Sequence, residues 1–431
     1  MVLKEQMERV LSIIMAGGAG ERLQPLTRER AKPAVPFAGK FRLIDFTLSN
    51  SVNSGLRHVF VLTQYRSESL HRHIQEGWGI SSSRLGDFIY PVPPQQKLGA
   101  DWYRGTADAV RQNLNLVRGR SVDQVLILSG DHIYKMDYTR LVAFHRASNA
   151  DVTISGIRVK ASEAKGRLGV LAVDETHRLV GFEEKPSHPK CLHDAPDSCL
   201  ASMGVYLFNA DVLVDVLKGA EDDFGRDIIP AMANASHHNC RHNVFVYDFE
   251  KENAIEDYMV AVKDGRREKM LVSRARDSTY WKDVGTIDSY YEASMELVGV
   301  DPLFNLYGER WPLRTYQRVL APTKCLFGGI TPESLVCDGC IISGGTVWNS
   351  IISPGVIIER DAFVERSIVF DDVVIEPNAT VRRAIIDKGS RIQAGASVGL
   401  DPAADRARGC VISEGGITVV PKGADIGRSV R

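Results

Sequence analysis

Residues 13–33 read IIMAGGAGERLQPLTRERAKP. An apolar run hands over to a glycine-rich loop, and what that loop can hold decides which kind of α/β domain it opens. The dinucleotide fingerprint G-x-G-x-x-G is met by Gly18 and Gly20, but Leu23 stands in place of the third glycine. A P-loop needs lysine and then serine or threonine directly after its last glycine, whereas Gly20 is followed by Glu21 and Arg22. A third reading is a loop that presents backbone N–H groups, opens a helix with its partial positive charge, and adds Arg22 as a fork and Lys32 as a point charge. That set suits a polyphosphate. On this stretch alone, a plain strand-to-helix turn with solvated cations stays open.

The chain has 431 residues, enough for two or three domains with substantial cores. Its 53 basic and 54 acidic residues nearly cancel, so no overall field draws it to nucleic acid or anionic lipid. Any anion site must be local. Seven cysteines with no paired spacing except Cys337-x-x-Cys340 argue for a reducing compartment, with the cytoplasm expected. The first apolar run, Val10 to Ala16, follows Lys4, Glu5, Glu8 and Arg9 and is too short to span a bilayer, so it reads as a buried strand of a soluble protein.

Up to about residue 300, short runs rich in valine and isoleucine alternate with mixed segments. VFVLTQ (59–64), QVLILSGD (124–131), DVTISGIRV (151–159) and MGVYLFN (203–209) are examples, separated by stretches such as GTADAVRQNLNLVRG with helical spacing. This alternation predicts a largely parallel sheet flanked by helices, with ligands at the carboxyl ends of its strands. The glycine loop after Ala16 and the pair Gly130-Asp131 both fall at such ends. Prolines at 302, 312, 322 and 332 then punctuate a stretch with little periodicity, an ordered connector that Trp311 and Tyr316 would anchor.

From Leu335 a repeat begins. Apolar or apolar-containing pairs start at 335, 341, 347, 351, 357, 363, 368, 374, 380, 385, 391 and 397, at steps of 6, 6, 4, 6, 6, 5, 6, 6, 5, 6 and 6. Two sixes and a shorter step predict a triangular coil with three short strands per turn. Each strand buries only one or two side chains, so the coils must stack into a parallel β-helix. Cys337 and Cys340 fall at a corner of this repeat with no second pair at zinc spacing.

Asp131 ends the run LILSGD, a natural hard-cation position, since Mg²⁺ takes one or two carboxylates and fills its other sites with phosphate oxygens and water. Asp283 in YWKDVGT is a second candidate. Each alone reads equally well as a cap or turn residue. Together with a phosphate loop they point to metal-assisted phosphoryl or nucleotidyl chemistry. Lys185 in GFEEKP, expected to be held extended by Pro186, can meet a second, smaller anion, and Glu183 or Glu184 can accept hydroxyl hydrogen bonds of a sugar. No G-x-S-x-G or H-E-x-x-H motif is present, and nothing demands a covalent nucleophile.

The opening motif extended to Asn50, with DWYRGTADAV, LSGDHIYKMDY, FEEKP, ASMGVYLF and YWKDVGTIDSYYEA, resembles the bacterial glucose-1-phosphate adenylyltransferases, or ADP-glucose pyrophosphorylases, of the sugar nucleotidyltransferase family. The likeness runs from about residue 10 to about 420. It implies a Rossmann-like α/β nucleotidyltransferase domain with a mostly parallel mixed sheet over 1–300, a connector at 301–334, and a C-terminal left-handed parallel β-helix of hexapeptide repeats with its tail at 335–431. It implies that ATP and glucose 1-phosphate give ADP-glucose and pyrophosphate in glycogen synthesis, with Mg²⁺ on Asp131 and Asp283 and the leaving group stabilised by Arg22 and Lys32. Tyr103, Gly169, Glu184, Lys185 and Ser202 match the family's sugar phosphate contacts, and Gly17, Gly18, Gln64, Trp102, Gly105 and Thr106 its nucleotide side. The family is usually homotetrameric and binds small anionic effectors in a basic cleft that Arg30, Arg42 and Arg383 would line. Four positions depart from its pattern. Glu29 replaces an activator-binding lysine of enteric members and Pro36 a histidine, so fructose 1,6-bisphosphate is not the expected activator; Leu168 and Arg226 replace the usual Phe and Lys.

Overall fold

Val10–Ala16, apolar at all but one position, is the central strand of a nine-stranded sheet, with Met15 alone not fully buried. A computed structural model of the chain describes residues 7–80, 86–95, 102–118, 120–192, 194–234, 242–263 and 266–427. The central strand pairs in parallel with His58–Thr63 on one side and Gln124–Ser129 on the other, with Met15 opposite both Leu62 and Ser129. This register brings Ala16, Thr63 and Ser129 to one edge of the sheet. The loops beyond them, with Gly17, Gln64 and Asp131, therefore open side by side. Phe88–Val92 extends the parallel block, while Ser198–Asn209 joins Gln124–Ser129 antiparallel and carries the strands Val170–Val173 and Leu179–Glu183 beside it. The sheet is thus mixed: a parallel block carries the glycine loop and an antiparallel wing carries FEEKP.

The repeat folds as three sheets stacked around one axis. One runs Lys324–Leu326, Ile341–Ser343, Ile357–Ile358, Val374–Ile375, Arg391–Ile392 and Asp425–Ile426, every step parallel. Ile342, Ile358, Val364, Ile375, Val381, Ile392 and Val398 fill the interior, one per strand, which is why each strand needs so few apolar residues. The stack starts earlier than the pattern at Leu335 predicts. Lys324–Leu326 lies inside the expected connector yet pairs with Ile341–Ser343, and the surrounding prolines hide it from periodicity. The rest of the connector is tied down: Trp311 Nε1 donates to Asn50 Oδ1 at 3.0 Å, and the Arg314 N–H donates to Ser49 Oγ at 2.9 Å.

One sheet of the coil has apolar residues on both faces. Ile352, Val369 and Ile386 point inward, while Ile351, Ile368 and Ile385 pack outward into a core with Phe37, Phe46, Tyr290 and Phe304 of the part before the coil. Fully burying each such side chain contributes roughly 1.5–3 kcal/mol, so the doubled apolar pairs dock the coil. Charged ties surround this core. Arg30, 5% exposed, forms a two-pronged pair with Asp387, 1% exposed, at 2.8 and 3.1 Å. Lys422 Nζ meets Glu29 at 2.7 Å, while Lys388 Nζ meets Asp371 at 2.7 Å within the coil itself. Glu29 thus salts the opening loop to the last turns of the coil. Among the described residues, no helix is long and apolar enough to cross a membrane.

Candidate active site

Asp131 and Asp283 meet because their strands pair. His132–Tyr134 and Trp281–Asp283 form a two-stranded antiparallel ladder in which Asp283 stands opposite His132, one residue from Asp131. Lys32 Nζ sits between the two carboxylates, 2.8 Å from Asp131 Oδ2 and 3.2 Å from Asp283 Oδ1. The second oxygen of Asp131 accepts from Ser129 Oγ and lies 3.6 Å from His132 Nε2. Burial works against both carboxylates, but Lys32 and His132 outweigh it and hold each below the ordinary carboxylate range. Burial likewise opposes the Lys32 charge, and the two acids more than offset it and raise its pKa.

The glycine loop differs from its expected form. Beyond Gly20 the chain makes a single 3₁₀ turn, Glu21–Leu23, too short to carry a helix dipole. The positive charge here therefore comes from side chains and loop amides. Gly20 adopts φ +64°, and a side chain there would start 3.1 Å from Lys32 Cβ. A side chain at Gly285 would start 3.1 Å from Asp283 Oδ2 and 3.4 Å from Arg22 Nη2, which puts Arg22 on the Asp283 side of the site. Gly18 faces open space, while Gly17 packs against Gln64, whose Nε2 donates to the Tyr103 carbonyl at 3.2 Å. Trp102 is exposed beside them.

The sugar-side candidates form a second group. The Ser202 N–H donates to the Gly169 carbonyl at 2.8 Å, and a side chain at Gly169 would start 2.8 Å from Glu184 Oε2. Glu184 pairs with Lys185 Nζ at 3.0 Å. Lys185 is not extended as Pro186 was expected to make it. It sits at φ +49°, because the chain turns there to present the Pro186 carbonyl to the Gly166 N–H at 3.0 Å. The Tyr103 hydroxyl turns inward to accept from Asn113 Nδ2 at 2.9 Å. Gly105 and Thr106 also lie toward this group. Thr106 Oγ1 donates to Asp223 Oδ2 and accepts from the Phe224 N–H, both at 3.0 Å, and the neighbouring Gly225 abuts Glu184. Arg226, beyond it, is exposed and its backbone N–H donates to Asp223 Oδ1 at 3.0 Å.

Three residues escaped sequence reasoning. His132 and Ser129 flank Asp131 and could have been suspected from that adjacency. Arg167, whose Nη2 lies 3.8 Å from Asp283 Oδ2, carries no motif of its own.

Of the three arginines expected to share one regulatory cleft, Arg30 and Arg42 lie near one another and Arg383 stands apart. Arg42 lines a cavity of about 710 Å³ between the catalytic part and the coil, with Lys40, Arg72, Arg318, Asp371 and Lys388. Arg30 is locked against Asp387, and Arg383 is exposed elsewhere, its Nη2 donating to the Gly415 carbonyl at 3.4 Å. Burial lowers the Arg42 and Lys388 pKa values, and Arg30 pushes both the same way. The lining holds five lysines and arginines against the acids Glu76, Asp338 and Asp371, so basic residues outnumber acidic ones there.

A mixed sheet with two carboxylates and a lysine at its edge, joined to a stacked coil, defines a nucleotidyl transferase with a hexapeptide domain. The family described as Nucleotidyl transferase matches residues 11–299, and the GlmU-like C-terminal hexapeptide family matches 323–420. The glucose-1-phosphate adenylyltransferase of Rhodopirellula baltica is 45% identical over 98% of this chain and 92% of its own length. Those of Cutibacterium acnes (45%; 97% and 98%) and Shewanella baltica strain OS155 (43%; 95% and 94%) are similar along nearly their full lengths. The chain belongs to the glucose-1-phosphate adenylyltransferase family.

Proposed function

We infer that the chain joins ATP and α-glucose 1-phosphate to give ADP-glucose and pyrophosphate, the committed step of glycogen synthesis, in the cytoplasm. The observation that carries this reading is the Lys32 ammonium held between Asp131 and Asp283 at the mouth of the glycine loop. A phosphate oxygen of the sugar phosphate attacks the α-phosphorus, and the bond to the β-phosphate bridging oxygen breaks on the opposite side. Lys32 and Arg22 receive the charge that grows on departing pyrophosphate, and the loop amides beyond Gly17 orient the triphosphate. Glu184 accepts from sugar hydroxyls while Lys185 meets the sugar's phosphate.

The donor set fits Mg²⁺. Asp131, just before the strand His132–Tyr134, and Asp283, on the strand paired with it, bring two carboxylates to one place. This matches an ion that completes its shell with phosphate oxygens and water. When bound by Asp131 and Asp283, it would supply charge neutralisation between two anionic reactants.

The basic cavity supports regulation by small anions, and the coil supports assembly into a homotetramer. In this reading residues 1–300 carry the chemistry, and the connector 301–334 with the coil 335–431 carries control. A panel of nucleoside triphosphates against sugar 1-phosphates, read by pyrophosphate release, tests the reaction. ATP with glucose 1-phosphate is the expected best pair, and preference for a thymidine or guanosine nucleotide would overturn it. Asp131→Asn is expected to lower turnover by at least about a hundredfold. Unchanged turnover in that variant would point instead to a regulatory subunit.

A further inference from the structure

Arg167 sits where the two halves of the site meet. It lies after the short helix Ala161–Ala164, in the loop leading to the strand Val170–Val173. The neighbouring Gly166 N–H is bonded to the Pro186 carbonyl, next to Lys185, and two residues on the Gly169 carbonyl holds Ser202. The loop is therefore pinned at both ends to the sugar-side group. Its arginine reaches the other way, to Asp283 Oδ2 at 3.8 Å, an ion-pair distance too long for a hydrogen bond. Lys32 already takes the other oxygen of Asp283. The Arg167 Nε is shut off from solvent with no hydrogen-bond partner.

A guanidinium with a donor unfilled and, among the described residues, a single loose acidic neighbour is an incomplete anion site. Lys185 precedes the proline whose carbonyl the Arg167 loop binds through Gly166, and its ion pair is with the adjacent Glu184. A phosphate monoester would give the Arg167 guanidinium a closer acceptor than Asp283 and would offer Lys185 an alternative to Glu184. Arg167 presents a planar fork to two of its oxygens, and Lys185 a single point.

We propose that Arg167 binds the phosphate of the sugar phosphate together with Lys185, and so sets affinity for that substrate. This assignment rests on the sugar-phosphate reading of the site given above.

The test compares Arg167→Gln and Arg167→Lys with the unaltered enzyme. Calorimetric titration with glucose 1-phosphate alone, with chelator present, reads binding without turnover. Kinetics then give KM for each substrate and the Mg²⁺ concentration for half-maximal rate. Arg167→Gln is expected to weaken glucose 1-phosphate about tenfold or more in both assays. KM for ATP and the Mg²⁺ requirement should stay within about twofold. Arg167→Lys keeps charge but loses the fork and should fall between, which preserves the test if the glutamine variant folds poorly. A shifted Mg²⁺ requirement with unchanged sugar phosphate affinity would make Arg167 a support for Asp283 and overturn the proposal; so would no change in either. Failure of the unaltered enzyme to use glucose 1-phosphate would count against the reaction itself, and titration with other sugar 1-phosphates would still decide Arg167.

Discussion

The pair Arg30–Asp387 offers the most quantitative test of how the two parts hold together. Both side chains are at most 5% exposed, and the guanidinium meets the carboxylate through two contacts of 2.8 and 3.1 Å. Asp387→Asn keeps the shape and removes the charge. It leaves Arg30 buried near Arg42 and Lys388 without its two-pronged acidic partner. Removing one partner of a buried pair costs about 3–5 kcal/mol. For 431 residues melting as one unit, an unfolding entropy of about 2.1 cal/mol/K per residue gives about 0.9 kcal/mol/K. The melting temperature should therefore fall by about 4 °C in scanning calorimetry at a fixed scan rate. The double variant Arg30→Met with Asp387→Leu, which buries no charge at this point, should recover most of the loss. A fall below about 1 °C for Asp387→Asn, or a double variant no better than the single, would refute the claim that this pair is buried and coupled.

The same geometry sets three other expectations. Glu29→Lys removes an exposed pair with Lys422 and should change the melting temperature by less than about 1 °C. Gly105→Ala would drive a methyl into the Asp222 carbonyl oxygen; displacing the segment that carries Asp223 should raise KM for glucose 1-phosphate and destabilise by roughly 1–3 kcal/mol. His145 is buried between Thr153 and Asn209, and burial lowers its pKa from 6.5. The unfolded chain then binds the extra proton first. The contribution is complete above pH 6.5 and is lost as pH falls from there toward the lower folded value. The difference between the melting temperatures at pH 7.5 and 5.5 should be smaller in a His145→Gln variant than in the unaltered chain.

The features legible in the sequence were those that repeat or stand at strand ends. The coil shows through because each strand buries one residue at a fixed step, and Asp131 because an apolar strand ends just before it. The hidden features depend on pairings across long separations. Asp131 and Asp283 are joined by a ladder between distant segments, and only that ladder explains why Lys32 bridges them. Arg30 reads as a residue of an effector cleft until Asp387 is brought against it. Glu29 reads as a misplaced acid until Lys422 supplies its partner. The 3₁₀ turn after Gly20 and the left-handed Lys185 are backbone outcomes of neighbouring contacts that local propensity does not encode.

The outward row Ile351, Ile368 and Ile385 also bears on how such a protein can change. Since this row shares one core with Phe37 and Tyr290, there is no seam at which the coil could be exchanged for that of a relative without also exchanging its receiving surface. A graft ending at residue 300 would leave three coil turns with isoleucine facing water and the receiving aromatic residues uncovered. Inheritance of this coil and of the hairpin Pro36–Arg42 must therefore be joint, and substitutions in the one should be matched by substitutions in the other.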